Sequence, residues 1–309
     1  MSGICIIFNP AARGEKALKF RKLLEEMRGD WVLKPTTEAG AARRLAAEAV
    51  QEGYQTIVAA GGDGTLNEVL NGMADAPEGL KKARLGVLPL GTVNVFAREV
   101  RLPRDPRKVW PVLAAGYETT LDLGCAEFQK LGRTESRYFI QLAGAGFDAR
   151  SVELVNWELK KKAGPAAYLV AGLQALGGAQ TQIAIEAGPR RETGELALLG
   201  NGRFYGGSYP LFHKSDLRDG VLDAVVFKRV NWSAFPGHVW DFISGRMFKE
   251  GCLTYLQAPE FTLSSPDRTA LQLDGELVGH LPARITVIPR ALRVVIPQER
   301  RASGSPGSP

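Results

Sequence analysis

The sequence predicts two unlike halves: an α/β half built as a doubly wound parallel sheet, then a largely antiparallel β half. Three observations predict this. Up to about residue 125, apolar runs of strand length alternate with stretches of helical periodicity. Beyond that point apolar and polar residues alternate with period two, between turns containing Gly or Asp. The length, 309 residues, also suits two domains of roughly 150 residues each.

In the first half, Ile4-Cys5-Ile6-Ile7-Phe8 is a continuous apolar run, as a strand covered on both faces requires. Residues 14–27 carry Ala17, Phe20, Leu24 and Met27 at spacings of three or four, which predicts an amphipathic helix. Trp31-Val32-Leu33 reads as a short strand and residues 39–52 as an alanine-rich helix. Residues 56–60 form a third strand that runs into Gly61-Gly62-Asp63-Gly64-Thr65, with a helix over 66–73. Residues 85–88 form a fourth, followed by Pro89-Leu90-Gly91-Thr92 and a helix from about 93. In the second half, strands are expected at 137–142, 181–186, 196–201, 222–227, 253–256, 270–273, 285–288 and 292–296. Helical insertions are expected at 149–175 and 232–243. The domains implied are 1–125 and 126–300, with a return of the last strand to the first domain left open, and a disordered tail over 301–309.

Composition narrows the function classes. Apolar residues at 45% and charged residues at 23% are ordinary for a globular protein and exclude collagen, coiled coil and wholesale disorder. No apolar run approaches the ~20 residues of a membrane span, and MSGICIIFNP lacks a basic signal-peptide start. A cytoplasmic protein is expected. A net charge of +6 permits anionic substrates or an anionic membrane surface. The basic residues are scattered without a nucleic-acid motif, so nucleic acid is not an expected partner. Cys5, Cys125 and Cys252 are far apart, and His213, His238 and His280 lack metal-ligand spacing, so buried reduced thiols are expected.

The segment TIVAAGGDGTLNEVLNG, residues 56–72, is the most informative. Glycines after a strand let successive N–H groups converge on an anion, and the following helix N-terminus adds partial positive charge. Asp63 would repel a bare phosphate and suits holding Mg²⁺ against nucleotide phosphates; a tight turn with Asp63 as N-cap is the other reading. Asn9-Pro10-Ala11-Ala12-Arg13-Gly14 and Pro89-Leu90-Gly91-Thr92-Val93-Asn94 end the first and fourth strands. Turns at the carboxyl ends of strands gather on one edge of such a sheet, so the three form a polar cleft suited to a nucleotide. No GxxxxGK[ST] occurs, which leaves neutralisation to Mg²⁺, backbone N–H groups and Arg13. Gly144 to Ala149 mimics a GxGxxA fingerprint without a βαβ unit around it, and a glycine turn lining an apolar pocket is expected there. The acids of Asp216 to Asp223 suit a hard cation or a solvated turn equally. Asp274-Gly275-Glu276 ends a strand with two carboxylates, able to accept a hydroxyl proton or simply to turn the chain.

Taken in order, NPAARG, GGDGTLNEV, PLGTVNVFARE and LDGE, with DGVLD between the last two, resemble the diacylglycerol-kinase-type lipid kinase family, which includes bacterial lipid kinases and sphingosine kinases. The resemblance covers about residues 4–297. It implies a phosphofructokinase-like α/β domain, a C-terminal antiparallel β-sandwich, and ATP bound between them. It further implies Mg²⁺-dependent phosphorylation of a hydroxyl on diacylglycerol or a related lipid alcohol. Carried over by motif, the ATP contacts are Asn9, Pro10, Ala11, Ala12, Arg13, Thr36, Gly62, Asp63, Gly64, Thr65, Leu66, Asn67, Glu68 and Thr92. Asp63 organises Mg²⁺, Asp274 matches the general base, and Glu276 stands beside it. Asp219, with main-chain oxygens of Asp216 and Val221, matches a structural Mg²⁺ site. Replacing Asp274 by Asn is expected to leave folding nearly intact and to cut turnover.

Where bacterial members often read GTxND, this chain has Val95, which cannot bind a metal. That departure keeps a catalytically inactive nucleotide-binding regulator open, beside a kinase of a soluble metabolite such as NAD. A lipid kinase without a span must meet its substrate at the membrane surface. Residues 157–176, with Lys160-Lys161-Lys162, are the candidate docking segment or else a core helix.

Overall fold

The computed structural model describes residues 3–10, 20, 30–146, 149, 181–230 and 253–298. The predicted helix at 14–27 (Phe20 aside), the insertions at 149–175 (Ala149 aside) and 232–243, Cys252, and the tail lie outside the described residues.

The first half alternates as expected: β1 (Ile4–Phe8), β2 (Trp31–Pro35), α1 (Ala41–Gln51), β3 (Thr56–Gly61), α2 (Asp63–Asp75), α3 (Gly79–Lys82), β4 (Arg84–Pro89), α4 (Val95–Glu99) and α5 (Pro106–Ala115). The four strands pair in parallel in the order β4-β3-β1-β2. Every residue of β3 is buried, the pattern that two covered faces demand. Helix α2 starts at Asp63, three residues before the apolar pattern begins, because extended Gly62 is its N-cap. Helix α5 carries its own punctuation: Asp105 accepts from the Arg107 N–H, Pro106 opens the first turn, and Gly116 closes it at φ 68°. Pro111 inside it masks the helical pattern in the sequence.

The second half is antiparallel: β5 (Glu118–Lys130), β6 (Arg133–Phe139), β7 (Leu142–Gly146), β8 (Ile183–Ala187), β9 (Arg190–Gly194), β10 (Leu196–Gly200), β11 (Leu222–Phe227), β12 (Leu253–Ala258), β13 (Glu260–Ser264), β14 (Ala270–Leu273) and β15 (Glu276–Val295). One continuous path, β12-β11-β10-β7-β14-β15-β4-β3-β1-β2, runs through both halves. Strand β15 joins them, with Val294 opposite Leu85 of β4 in parallel while it pairs antiparallel with β5 and β13. Phe128, Phe139, Ile183, Leu199, Phe261 and Ile285 bury together as the core of the β half. Leu121, Leu123, Leu292 and Val294 are instead part of the first half's core.

Three expectations change. Residues 285–288 and 292–296 belong to one strand, and the apparent break is a register irregularity between Ile288 and Leu292, where Arg290 takes φ 51°. The expected strand 137–142 is interrupted, because the N–H groups of Ile140 and Gln141 leave the ladder to reach Asp274. The Gly144 segment is a strand rather than a turn: Gly144 lies opposite Leu198 of β10 and Gln272 of β14. Among its described residues Gly146 alone takes a positive φ, 82°, with the Glu195 carbonyl where a Cβ would stand. Of the described cysteines, Cys5 is buried, Cys125 partly exposed, and both are free thiols.

Candidate active site

The carboxyl ends of β1 to β4 bring Asn9, Thr36, Gly62 and Thr92 to one edge. The Thr36 N–H donates to the Phe8 carbonyl at 2.8 Å, and that of Asn9 to the Ala60 carbonyl at 3.1 Å. Asn9 Nδ2 donates to Thr65 Oγ1 at 3.2 Å, tying the first turn to the GGDGT turn. The GGDGT and PLGT turns are in backbone contact: a Cβ on Gly91 would stand 2.6 Å from Gly62 Cα. Asn94, at φ 52°, locks the second turn by accepting from the Gly91 N–H and donating to the Gly91 carbonyl. Gly62 offers α2 no capping side chain, so the first-turn amides of this 13-residue helix lack a side-chain cap and form the kind of terminus that attracts phosphate.

Asp63 sits inside this junction. Burial and then the neighbouring charge of Asp274 lift its carboxyl to about 6, against hydrogen bonds from the backbone of Val95, Phe96 and Asn94. Val95 therefore contributes through its amide: it helps fasten Asp63 to the start of α4.

Further along α2 the side chains turn away from the cleft. Leu66 is buried in the core. Glu68 caps α1 instead, accepting from the N–H groups of Gly40 and Ala42 at 3.1 Å each. Asn67, 0% exposed, donates to Asp274 Oδ2 at 2.8 Å. Four residues on, Asn71 accepts from the Tyr138 N–H at 2.9 Å and donates to the Tyr138 carbonyl at 3.0 Å. Asn71 was not singled out in the sequence; its i, i+4 spacing from Asn67 was the available signal that both share a helix face.

Asp274, at φ 49°, is held on all sides. Oδ2 accepts from Asn67 Nδ2 and the Ile140 N–H at 2.8 and 2.9 Å, and Oδ1 from the N–H groups of Gln141 and Leu142 at 3.0 and 2.9 Å. A carboxylate has about four acceptor sites, and these four donors engage them. Burial raises its pKa, with the donors pulling the other way. An Asn at this position would turn an N–H₂ toward two donors, so the geometry argues for a loss of stability in that variant.

Glu276 differs. Its Oε2 accepts from Arg137 Nη2 at 2.9 Å, while among the described residues Oε1 has no hydrogen bond and lies 3.1 Å from where a Cβ on Gly64 would stand. It therefore faces the first turn of α2. Burial lifts its pKa most, Arg137 opposes this, and Glu68 and Asp274 add to it. Arg137 Nε is buried without a partner among the described residues, an orphan donor beside the cleft. That donor, the uncapped helix start and the cradle at Gly62, Gly64 and Gly91 fit a polyphosphate. Among the described residues no three acidic, His or Cys side chains converge as a metal cage. Magnesium bound through one or two carboxylates plus nucleotide oxygens needs none.

The remaining predicted positions lie elsewhere. Exposed Pro10 follows Asn9, and Ala11, Ala12 and Arg13 lie outside the described residues. In the 216–221 loop the Asp219 N–H donates to the Asp216 carbonyl at 3.3 Å and Asp219 Oδ1 accepts from the Val221 N–H at 3.1 Å. Asp216 pairs with Arg218 at 3.6 Å. Asp122, one of the residues sequence reasoning missed, accepts from the N–H groups of Gly220 and Arg290 at 2.7 Å each, tying this loop to β15.

Comparison with known proteins agrees with the two-part fold. A family model described as diacylglycerol kinase catalytic domain matches residues 3–126. One described as YegS C-terminal NAD kinase beta sandwich-like domain matches residues 141–296. A diacylglycerol kinase of Staphylococcus carnosus (strain TM300) is 33% identical over 268 residues, 85% of this chain and 84% of that protein. One of Bacillus subtilis (strain 168) is 33% identical over 270 residues, 86% and 85% of the two chains. A solved structure of a diacylglycerol kinase from Bacillus anthracis str. Sterne superposes with a TM-score of 0.69, covering 96% of this chain and 97% of that one at 19% identity, a likeness of fold. An N-terminal α/β catalytic domain with a β-sandwich behind it agrees with these relatives, and the chain belongs to the diacylglycerol kinase family.

Proposed function

We propose that the chain transfers the γ-phosphoryl group of ATP to a hydroxyl of diacylglycerol or a related lipid alcohol. The observation that carries the reading is Glu276: one oxygen held by Arg137, the other without a hydrogen bond among the described residues and turned to the start of α2. In this reading the first-turn amides of α2 and the Gly62–Gly91 cradle hold the phosphates, and Arg137 Nε donates to the transferring group. Glu276 Oε1 accepts the hydroxyl proton as oxygen attacks phosphorus and the bond to the departing ADP oxygen breaks. Its raised pKa brings its basicity nearer neutrality, as general-base work favours. Asp274 acts by holding residues 140–142 in place rather than by taking the proton. Asp63 would hold Mg²⁺, which when bound offsets phosphate charge. The same carboxylate fastens the two glycine turns, so Val95 leaves that role intact.

The test is transfer of label from ATP to diacylglycerol in mixed micelles, with NAD as a soluble acceptor, because the C-terminal match is described as NAD kinase-like. Native protein should label the lipid. Glu276→Gln should lose about 10²- to 10⁴-fold in kcat with ATP affinity within a few-fold of native. Full turnover in that variant would remove Glu276 from the chemistry, and label on NAD alone would remove the lipid.

A further inference from the structure

The hairpin joining β5 and β6 ends in a two-residue turn, Leu131-Gly132, flanked by the pair Lys130 and Arg133. Both central residues have positive φ, 49° and 76°, which is the backbone that hairpins fill with Asn-Gly or Gly-Gly. A leucine there is doubly out of place. Its Cβ resists the left-handed conformation, and its side chain is 91% exposed. Local folding would favour Asn at this position, so the residue serves something outside the fold.

The surroundings indicate what. Leu131 stands on the rim of a cavity of about 220 Å³ lined also by Lys130, Arg268, His280 and Leu281. Arg133 and Arg268 are exposed. The acids nearby are Glu135, which pairs with Lys130 at 3.3 Å, and Asp267, next to Arg268 in sequence. The tip thus carries three permanent cations against two acids around one projecting apolar side chain. That combination matches a bilayer interface: the leucine among acyl chains, the cations at anionic headgroups, the cavity taking a headgroup phosphate. The tip is also aimed by the same strands as the candidate site. Arg137 follows Arg133 on β6 by four residues, roughly 13 Å at strand rise. His280 and Glu276 lie on β15, with Leu277, 42% exposed, after Glu276.

We infer that the β5–β6 hairpin tip is a membrane-docking element that inserts Leu131 into anionic phospholipid and so sets the candidate site about one headgroup layer from the bilayer. The position of the site rests on the kinase reading; the docking itself does not.

The test is sedimentation of the full chain with vesicles, without nucleotide, so that binding is read apart from turnover. The vesicles are phosphatidylcholine alone or with phosphatidylglycerol. Native protein should bind the anionic vesicles several-fold more tightly, the preference shrinking with salt. Leu131→Asn should weaken vesicle binding about tenfold, the burial of one leucine, while keeping or raising Tm because the turn gains its preferred residue. Arg133→Gln with Arg268→Gln should lose the anionic preference, each charge being worth a few-fold. All three proteins should turn over micelle-dispersed substrate alike. Native-like vesicle binding by Leu131→Asn, or equal binding of native protein to both vesicle types, overturns the inference. Loss of micellar turnover with vesicle binding intact counts against the kinase reading alone.

Discussion

Asp63 illustrates how a residue placed by its neighbours differs from the same residue in a motif. In the sequence it is an acid between glycines, read as a metal ligand or an N-cap. In the fold it caps the start of α4 rather than its own helix, and its proton is held up to about pH 6. The sign of its effect follows. The native apoprotein retains a proton there that the unfolded chain loses near pH 4, so this contribution to stability is present below about 4 and lost as pH rises through 6. The variant Asp63→Asn should therefore gain stability on the native protein between pH 4 and 7, by roughly 2–3 kcal/mol, read by urea denaturation across that range in buffer without nucleotide or metal. A gap constant with pH would show that Asp63 titrates normally. Asp274 calls for the opposite expectation: with four donors on it, Asp274→Asn should destabilise the fold by about 2–4 kcal/mol, measured by urea denaturation. None of those donors is a neighbour in sequence, which is why Asp274 reads there as a turn acid or a general base and not as the centre of a clamp.

Among the elements, legibility followed the range of the interactions that define them. Strands β1 and β3 declare themselves because covered strands need unbroken apolar runs. The end of β6 does not, because what stops it is a carboxylate 134 residues away from Ile140. Helix α5 had every local signal, Asp105, Pro106 and Gly116, and only Pro111 argued against it. The run 62–68 was assigned whole to the nucleotide, yet a helix distributes consecutive side chains around its axis. Gly62, Asp63 and Gly64 stay at the cleft, while Leu66 packs into the core, Asn67 reaches Asp274 and Glu68 caps α1. The two glycine turns themselves make a sharp prediction. Gly91→Ala puts a methyl 2.6 Å from Gly62 Cα, so one turn must shift. ATP affinity should drop at least tenfold, with a stability loss of about 1–3 kcal/mol, by titration calorimetry and thermal melting. Native affinity in Gly91→Ala would mean that the phosphates are not held by this pair of turns.

Across the whole molecule, the cleft is kept in shape by two polar clamps between the halves. On one side Asn67 and Asn71 of α2 hold Asp274 and the Tyr138 backbone. On the other, Glu99 of α4 accepts from Gln141 Nε2, the Arg203 N–H and Arg203 Nε at 2.8–2.9 Å. Both grip residues 138–142, the segment that also feeds Asp274. Replacing Asn71 by Leu leaves the Tyr138 N–H without its side-chain acceptor and the Tyr138 carbonyl with only the longer 3.3 Å bond from Asn67 Nδ2. We expect stability to fall by about 2–4 kcal/mol and, well below Tm, kcat to fall tenfold or more while the KM for ATP stays near native. A parallel rise in ATP KM would mean that Asn71 supports the nucleotide half alone.

The path of β15 has an evolutionary corollary. Its final residues, Leu292, Val294 and Val295, complete the apolar interior of the opening half, and Val294 lies alongside Leu85 at the margin of its sheet. The rear portion is thus no detachable cassette. A lineage that exchanged it for another acceptor-binding module would also have to re-supply the strand that seals the nucleotide half, so new acceptors are more readily reached by reshaping loops than by swapping modules.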